Sequence, residues 1–249
     1  MATHFKGPIL YSNARTGLSD LAIGMNPDQL ILWDDFDKEL DSSFTVVKDS
    51  SADVSIAADT LFGVLKITSQ ATTDNSGGSI QGNEIFQLPA TEGQKIWFEA
   101  RYFVDSTSGS GAGQMDTFVG LTENFATDPE NGLDRANRIG FQMDDGSASL
   151  KVVSGTTGPL LNSQTLASKY DVVDGTYQTV GFTLTKGSAV GGTNVIEFFV
   201  NRKKVATVTD IITTELITPA AVSMSGDATG TKSMSVDYIL AAQDRVTYS

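Results

Sequence analysis

The chain has 249 residues, of which 40% are hydrophobic, and a formal net charge of −13. This hydrophobic fraction is enough for a sizeable core and excludes wholesale disorder, while the acidic charge excludes nucleic acid as a partner because phosphate binding requires lysine and arginine. The absence of cysteine excludes disulfides and zinc–thiolate sites, and no apolar run reaches the ~18–20 residues of a membrane span.

The first 29 residues differ in character from the rest of the chain. They lack the basic start and apolar centre of a signal peptide, so we expect synthesis in the cytoplasm. Glycine, proline and asparagine interrupt any long regular element apart from one short helical turn over residues 18–23, yet the segment is too apolar for a solvated tail. We therefore predict an assembly arm that lies on its own domain or docks on another subunit. Its docking residues would be Phe5, Pro8, Ile9, Leu10, Tyr11, Leu18, Leu21 and Ile23.

Residues 30–249 are predicted to form one domain of short strands. Brief apolar runs alternate with clusters of Ser, Thr, Gly and Asp, which is typical of an all-β chain. Such a chain of this length fits a two-sheet antiparallel β-sandwich. Strands are predicted over residues 30–36, 44–47, 54–57, 61–68, 79–88, 95–105, 116–122, 138–143, 149–153, 176–185, 195–200, 204–209 and 233–240.

Several connections between these strands carry a signal of their own. Asp145-Gly146 between alternating runs predicts a hairpin, because glycine accepts positive φ without a Cβ clash. The turn at Asn201-Arg202 is predicted to be either tight, with Arg202 left-handed at a cost of ~1 kcal/mol, or longer. Residues 124–137 form one long irregular insertion, and residues 211–221 are predicted as a short helical or irregular crossover.

The run from Lys95 to Asp105 is the longest alternating stretch. Because successive side chains of a strand point to opposite sides, Phe98 and its alternate neighbours would face the core. The other face would carry Trp97, Glu99, Arg101 and Phe103. This candidate surface patch would meet a sugar, a neighbouring subunit or only water, and we predict the subunit.

The order of motifs resembles a known fold family. The motifs are Trp33-Asp-Asp-Phe36, Phe98-Glu-Ala-Arg101, Arg138-Ile-Gly-Phe with Asp144-Asp-Gly146, Asp174 to Phe182, Ile196 to Ala206 and Ser235 to Ile239. Over about residues 30–245 the chain is similar to the concanavalin A-like lectin and glucanase jelly roll, which includes laminin-G-type and family 16 glucanase domains. The resemblance implies the fold and says little about function.

The arm carries a second resemblance. His4 to Leu10 is similar to the start of structural proteins from tailed phages, especially marine and cyanobacterial ones. In such virions, jelly-roll proteins with this kind of arm serve as capsid decoration (cement) proteins or as head and tail appendages. The resemblance implies a homo-oligomer, a trimer or dimer, that lies on the capsid surface and binds the major capsid protein or other virion proteins. The alternative is a carbohydrate-binding module of an appendage that mediates host attachment.

Catalytic motifs are missing from the sequence. Enzymes of the resembling family use a Glu-x-Asp-x-x-Glu strand, because retaining glycosidases need two carboxyl groups ~5–5.5 Å apart, and the full motif does not occur. The only histidine, His4, lies on the arm, which argues against a Ser-His-Asp triad. We therefore predict that the chain is not an enzyme.

No cofactor is expected, although two acidic pairs are candidates for calcium. Asp34 or Asp35 would lie near Asp237 if the first and last strands are neighbours, and Ca²⁺ binds carboxylate and carbonyl oxygens. Asp144-Asp145 is the second candidate. The basic run from Arg202 to Lys204 is expected to be a solvated hairpin tip or a contact with an acidic protein.

Overall fold

The structure is a computed structural model. It describes residues 29–36, 40, 44–57, 63–70, 72–87, 91–106, 114–125, 129, 133, 137–155, 162–187, 193–210 and 216–244. The predicted assembly arm, up to residue 28, therefore lies outside the described residues, together with its helical turn and its eight docking residues.

Sixteen strands and one short 3₁₀ turn, Ser168–Tyr170, make up the regular structure of the described residues. The strands are β1 (Gln29–Asp34), β2 (Phe44–Lys48), β3 (Asp53–Ile56), β4 (Leu65–Thr68), β5 (Gly77–Gly82), β6 (Phe86–Gln87), β7 (Lys95–Ser106), β8 (Met115–Thr122), β9 (Arg138–Met143), β10 (Lys151–Gly155), β11 (Asn162–Thr165), β12 (Gln178–Thr185), β13 (Asn194–Val200), β14 (Lys203–Asp210), β15 (Leu216–Ser225) and β16 (Lys232–Asp244). In the part of the chain that the structure describes, no helix has the length and apolarity to cross a membrane.

The strands form two antiparallel sheets. Sheet A has the order β14-β13-β12-β7-β16-β4-β3, with β1 also paired to β16, and sheet B has the order β11-β10-β9-β8-β15-β5-β2, with β6 also paired to β15. The last two strands, β15 and β16, thus occupy central positions in opposite sheets. The first strand pairs with the last, from Gln29 opposite Asp244 to Asp34 opposite Ile239.

The core lies between the inner faces of the two sheets. Phe98 stacks on Phe182 with ring centres 5.4 Å apart, Phe182 contacts Phe198 at 5.8 Å, and Phe198 meets Phe141 of sheet B edge to face at 5.5 Å. All four side chains are buried. Because full burial of a large apolar side chain contributes roughly 1.5–3 kcal/mol, this aromatic chain is a main stabilising contact between the sheets.

The outer face of sheet B is also covered at the points that the structure describes. Phe118 of β8 packs with Phe125 and Leu133 of the 124–137 insertion in a second hydrophobic cluster. Its ring lies over Gly120, which faces Gly140 of β9. A Cβ at Gly120 would overlap the carbonyl oxygen of Ile139 and lie 2.9 Å from the Phe118 ring, so this crossing requires glycine.

The sequence prediction for residues 211–221 was wrong in the part that the structure describes. The predicted helical or irregular crossover over residues 211–221 is, from Leu216 onward, the strand β15, which pairs with β8 on one side. On the other side β15 pairs with β6 through Ile217 and with β5 from Ala220. Pro219 falls in the gap between these two ladders, where a residue without an N–H is tolerated.

The hairpin between β13 and β14 has a tight turn, one of the two alternatives that were predicted for it. Asn201 and Arg202 have φ values of 48° and 65°, and the ladder resumes with Val200 opposite Lys203. Two left-handed residues in succession match the twist of the flanking strands. The tip therefore keeps Arg202 in a conformation that favours glycine.

Candidate functional site

The predicted surface patch lies on the outer face of sheet A. Trp97, Glu99, Arg101 and Phe103 alternate along β7 with residues of the core between the sheets, as the sequence pattern predicted. β7 lies between β12 and β16, so residues of those strands surround the patch on both sides. Gly181 of β12 lies opposite Glu99 and leaves the space above that strand without a side chain.

Trp97 does not present its ring to solvent. It is 3% exposed and packs with Leu240 and Ala242, together with the half-buried Ile31 and Trp33. Contact of the Trp97 ring with a sugar, one of the alternatives for the patch, therefore does not fit its burial. The ring instead packs β7 against the neighbouring strand β16 and against β1.

A different aromatic pair lies beside this cluster. Trp33 of β1 stacks on Tyr238 of β16, with ring centres 5.9 Å apart and an angle of 16° between the ring planes. Both residues are only half-buried, so part of each ring can contact a ligand. Stacked and half-exposed aromatic rings are apolar surfaces with one polar tip, which suits recognition of amphipathic ligands.

Tyr238 also joins the patch through its hydroxyl group. Its O–H donates a hydrogen bond to Oε1 of Glu99, over 2.6 Å, and Glu99 is 3% exposed. The phenol therefore satisfies a carboxylate that is almost removed from water, since buried charges require such partners. The pair places a proton donor and a carboxylate at hydrogen-bond distance on one face of the sheet.

Arg101 lies in the more exposed half of the patch. Its Nη1 donates to Oδ2 of Asp237 at 2.7 Å, and its guanidinium carbon lies 4.1 Å from the centre of the Tyr177 ring. Phe103 meets the same ring edge to face at 4.7 Å. Burial and the charge of Asp237 raise the pKa of Tyr177, and Arg101 partly opposes this effect. Two rings, one cation and one carboxylate thus form a single contact group.

A bulge in β16 explains why two consecutive residues take part. The register of β16 against β7 shifts between Val236, which pairs with Tyr102, and Tyr238, which pairs with Arg101. Asp237 is therefore the extra residue, and the bulge turns Tyr238 to the outer face. Strict alternation would place Tyr238 on the inner face with Val236, so the sequence pattern alone missed it.

Three of the candidate calcium ligands make other contacts. Strand β1 does pair with β16, but Oδ1 of Asp34 accepts the backbone N–H of Phe36, and Asp237 binds Arg101. Asp144 is an ion-pair partner of Lys151. Across the described ranges, no three His, Asp or Glu residues are grouped so that they could hold a metal ion.

The basic hairpin tip is partly paired within its own sheet. Nζ of Lys204 lies 3.0 Å from Oε1 of Glu197 on the neighbouring strand, and about half of the Lys204 side chain is exposed, 53%. An exposed pair of this kind contributes little to stability, about 0–1 kcal/mol. Its contact with an acidic protein stays a prediction.

No protein-family model and no curated protein sequence matches the chain. Solved structures do match it. An endo-1,3-β-glucanase from Streptomyces sioyaensis has a TM-score of 0.61 at 15% identity, over 89% of this chain and 98% of that one. An endo-β-1,4-glucuronan lyase from Trichoderma reesei has a TM-score of 0.57 at 14% identity, over 84% and 94%.

A phage protein is among the similar structures as well. The CBM2 module of the evolved Dit protein of Lactobacillus casei BL23 phage J-1 has a TM-score of 0.55 at 13% identity, over 89% of this chain and 100% of the module. Peanut lectin and the lectin UEA-II share the same architecture. These likenesses confirm the predicted fold class, a two-sheet antiparallel sandwich of the concanavalin A-like jelly-roll type.

The prediction that the chain is not an enzyme was wrong as a general statement. Glucanase, glucuronan lyase and alginate lyase structures share its fold, so this fold does not exclude an enzyme. The prediction depended on two missing catalytic patterns, the Glu-x-Asp-x-x-Glu motif and a Ser-His-Asp triad. Glu39-Leu40-Asp41 supplies the first half of the former, and Phe44 stands where its second glutamate would be. A missing motif excludes one mechanism and leaves other ways of cleaving a polysaccharide open. The capsid decoration role is not addressed by these likenesses.

Proposed function

We propose that this protein binds a carbohydrate through the outer face of sheet A. The observation that carries the proposal is the group formed by the Trp33–Tyr238 stack, the Tyr238–Glu99 hydrogen bond and the Arg101–Asp237 pair. The lectin structures and the phage CBM2 module support it through their common fold.

The chemistry of the face suits a sugar ring. Half-buried aromatic rings offer flat apolar surface to the C–H side of a pyranose. The guanidinium of Arg101 carries five N–H donors and is bonded to Asp237 through Nη1, so further donors are available to sugar hydroxyls. Asp237, with 19% of its side chain exposed, can accept from them.

The charge favours a neutral glycan over a uronate polymer. The chain carries a net charge of −13, and the site contains two carboxylates, Glu99 and Asp237, and one arginine. Approach of a polyanion would meet repulsion from the protein as a whole and from the site. The ligand class that we propose is therefore a neutral oligosaccharide.

Cleavage of the bound glycan is the second candidate. The specific observation is the Tyr238–Glu99 pair, in which a phenol donates to a carboxylate over 2.6 Å beside the binding surface. Such a pair can give or take a proton if it lies within hydrogen-bond reach of the reacting group. The test is to incubate the protein with neutral and with uronate polysaccharides and to measure the release of reducing ends and of unsaturated products. Tyr238→Phe should abolish any such release.

We also propose that the carbohydrate-binding face is displayed on a phage particle. The similarity of His4 to Leu10 to phage structural proteins and the phage CBM2 module support this setting. A head or tail appendage for host attachment is one placement. The other is a capsid decoration protein whose apolar arm docks on the major capsid protein or a sister subunit. Deletion of residues 2–27 should then abolish particle binding and leave the domain folded. Normal incorporation of the shortened protein into particles would contradict the proposed role of the arm.

Binding itself is tested with the whole chain on an array of neutral and acidic glycans. We expect neutral glycans to bind and Arg101→Gln to weaken binding at least tenfold, because a hydrogen-bonding cation leaves the face. Arg202→Gln is the matched control, since it removes the same charge from the hairpin tip between β13 and β14. Equal loss in both variants, or no loss in either, would count against the proposed site.

A further inference from the structure

A polar cleft of about 250 Å³ lies on the opposite sheet from the aromatic face. It is found where β2 begins, where β5 ends and where the chain leaves β8 for the 124–137 insertion. Thr45 and Gln81 are direct partners across β2 and β5, so their side chains share one face of sheet B. The described lining residues are Thr45, Gln81, Gly82, Asn83, Glu84 and Asn124.

Hydrogen bonds hold one wall of the cleft in place. Oε1 of Glu84 accepts the backbone N–H of Asn124 at 3.1 Å, and Oε1 of Gln81 accepts that of Phe125 at 3.2 Å. Gln81 is only 3% exposed and Phe125 is buried in the outer cluster of sheet B. The end of β5 and its following loop therefore fix the start of the insertion, and the cleft is a built feature of the fold.

The lining chemistry selects among classes of ligand. Three carboxamides, one hydroxyl and one carboxylate supply both donors and acceptors, and the described lining contains no cationic side chain. An anion would meet Glu84 without a counter-charge, and a metal ion would find one carboxylate where calcium sites use several oxygen ligands of higher charge. An apolar ligand would leave the amides without hydrogen bonds, at a cost.

We propose that this cleft binds a single residue of a neutral sugar. Vicinal hydroxyls are donors and acceptors at once, which complements amide groups beside a carboxylate. The volume is slightly below the ~300–1,000 Å³ of pockets for drug-sized ligands, so one ring fits and a chain does not. The site is independent of the proposed aromatic face, and the two faces would let one molecule engage two glycans or two positions of one glycan with added avidity.

The test is saturation-transfer NMR with glucose, galactose, mannose and N-acetylglucosamine, each added to the whole chain. The wild type and Arg101→Gln, which impairs the aromatic face, should both transfer saturation to at least one sugar. Asn83→Ala and Glu84→Gln should raise the Kd of that sugar about tenfold, as expected for the loss of one good hydrogen bond in a cleft. Glu84→Gln keeps an oxygen for the N–H of Asn124, so the wall should remain folded.

Matched controls are Asn162→Ala and Glu92→Gln, which remove the same groups from exposed positions elsewhere. They should leave the Kd unchanged. The proposal is overturned if none of the four sugars gives transfer. It is also overturned if Asn83→Ala and Glu84→Gln, each made in the Arg101→Gln background, leave the Kd of the sugar unchanged, or if transfer is lost in Arg101→Gln alone. The last result would place the sugar on the aromatic face only, so failure here is distinguishable from failure of the proposed function.

Discussion

The Arg101–Asp237 pair should matter more for ligand binding than for folding. Its atoms are 2.7 Å apart, but 42% of the Arg101 side chain and 19% of the Asp237 side chain are exposed, so water screens the attraction. We expect a coupling energy of about 0.5–1 kcal/mol, well below the roughly 3–5 kcal/mol lost when a fully buried pair is broken. Loss of the contact with Tyr177 adds about 0.5–1 kcal/mol. Arg101→Gln should therefore lower the free energy of unfolding by about 1–2 kcal/mol.

A double-mutant cycle in urea measures this coupling. The four proteins are the wild type, Arg101→Gln, Asp237→Asn and the double variant, and the coupling is the difference between the double change and the sum of the single changes. Glycan affinity is measured on the same samples and should fall at least tenfold in Arg101→Gln. A coupling above about 3 kcal/mol together with unchanged glycan affinity would refute the reasoning, because the pair would then serve the fold alone.

Three further predictions concern stability. Burial raises the pKa of Tyr102, so its contribution to stability is complete below about pH 10 and is lost as the pH rises through its folded-state pKa. The fall of stability with alkaline pH, followed by circular dichroism, should therefore be shallower in Tyr102→Phe. An unchanged curve would contradict this. Gly120→Ala should cost about 2–3 kcal/mol by urea unfolding, since the new Cβ overlaps the Ile139 carbonyl, and a loss under about 0.5 kcal/mol would mean that the β8–β9 crossing can relax. Arg202→Gly should stabilise by roughly 0.5 kcal/mol, because relief of left-handed strain exceeds the added chain entropy, and a lower melting temperature would show that contacts of Arg202 outweigh its strain.

Local alternation carried most of the strand predictions. The inner residues of β7 could be assigned to the core from sequence because strand periodicity is a property of neighbouring residues. β15 could not, since an apolar run that contains Pro219 reads as irregular until its two successive partners are known. β11 was missed because all four of its residues are polar and exposed, so only pairing with β10 defines it.

The candidate site was predictable only in part. The outer position of Glu99 and Arg101 followed from the same alternation. Their partners could not be found that way, because Trp33, Tyr177 and Tyr238 come from other parts of the chain and meet only through sheet pairing. The bulge at position 237 also exchanges the inward-facing and outward-facing positions of β16 beyond it. No residue pattern in that strand predicts the bulge.

The order of the strands has a consequence for synthesis. β15 and β16 are the latest of the described strands to leave the ribosome, yet each is needed in the middle of a sheet. Until Lys232 and the residues after it have been synthesised, β7 and β4 have no strand between them. In the same way, β8 and β5 lack their common neighbour until β15 has been synthesised. We infer that the nascent chain holds unpaired strand edges until β15 and β16 have both emerged, which exposes it to aggregation and makes the folding of this domain a concerted event. Chaperone occupancy of the stalled chain should therefore fall sharply once residues 216–244 have emerged.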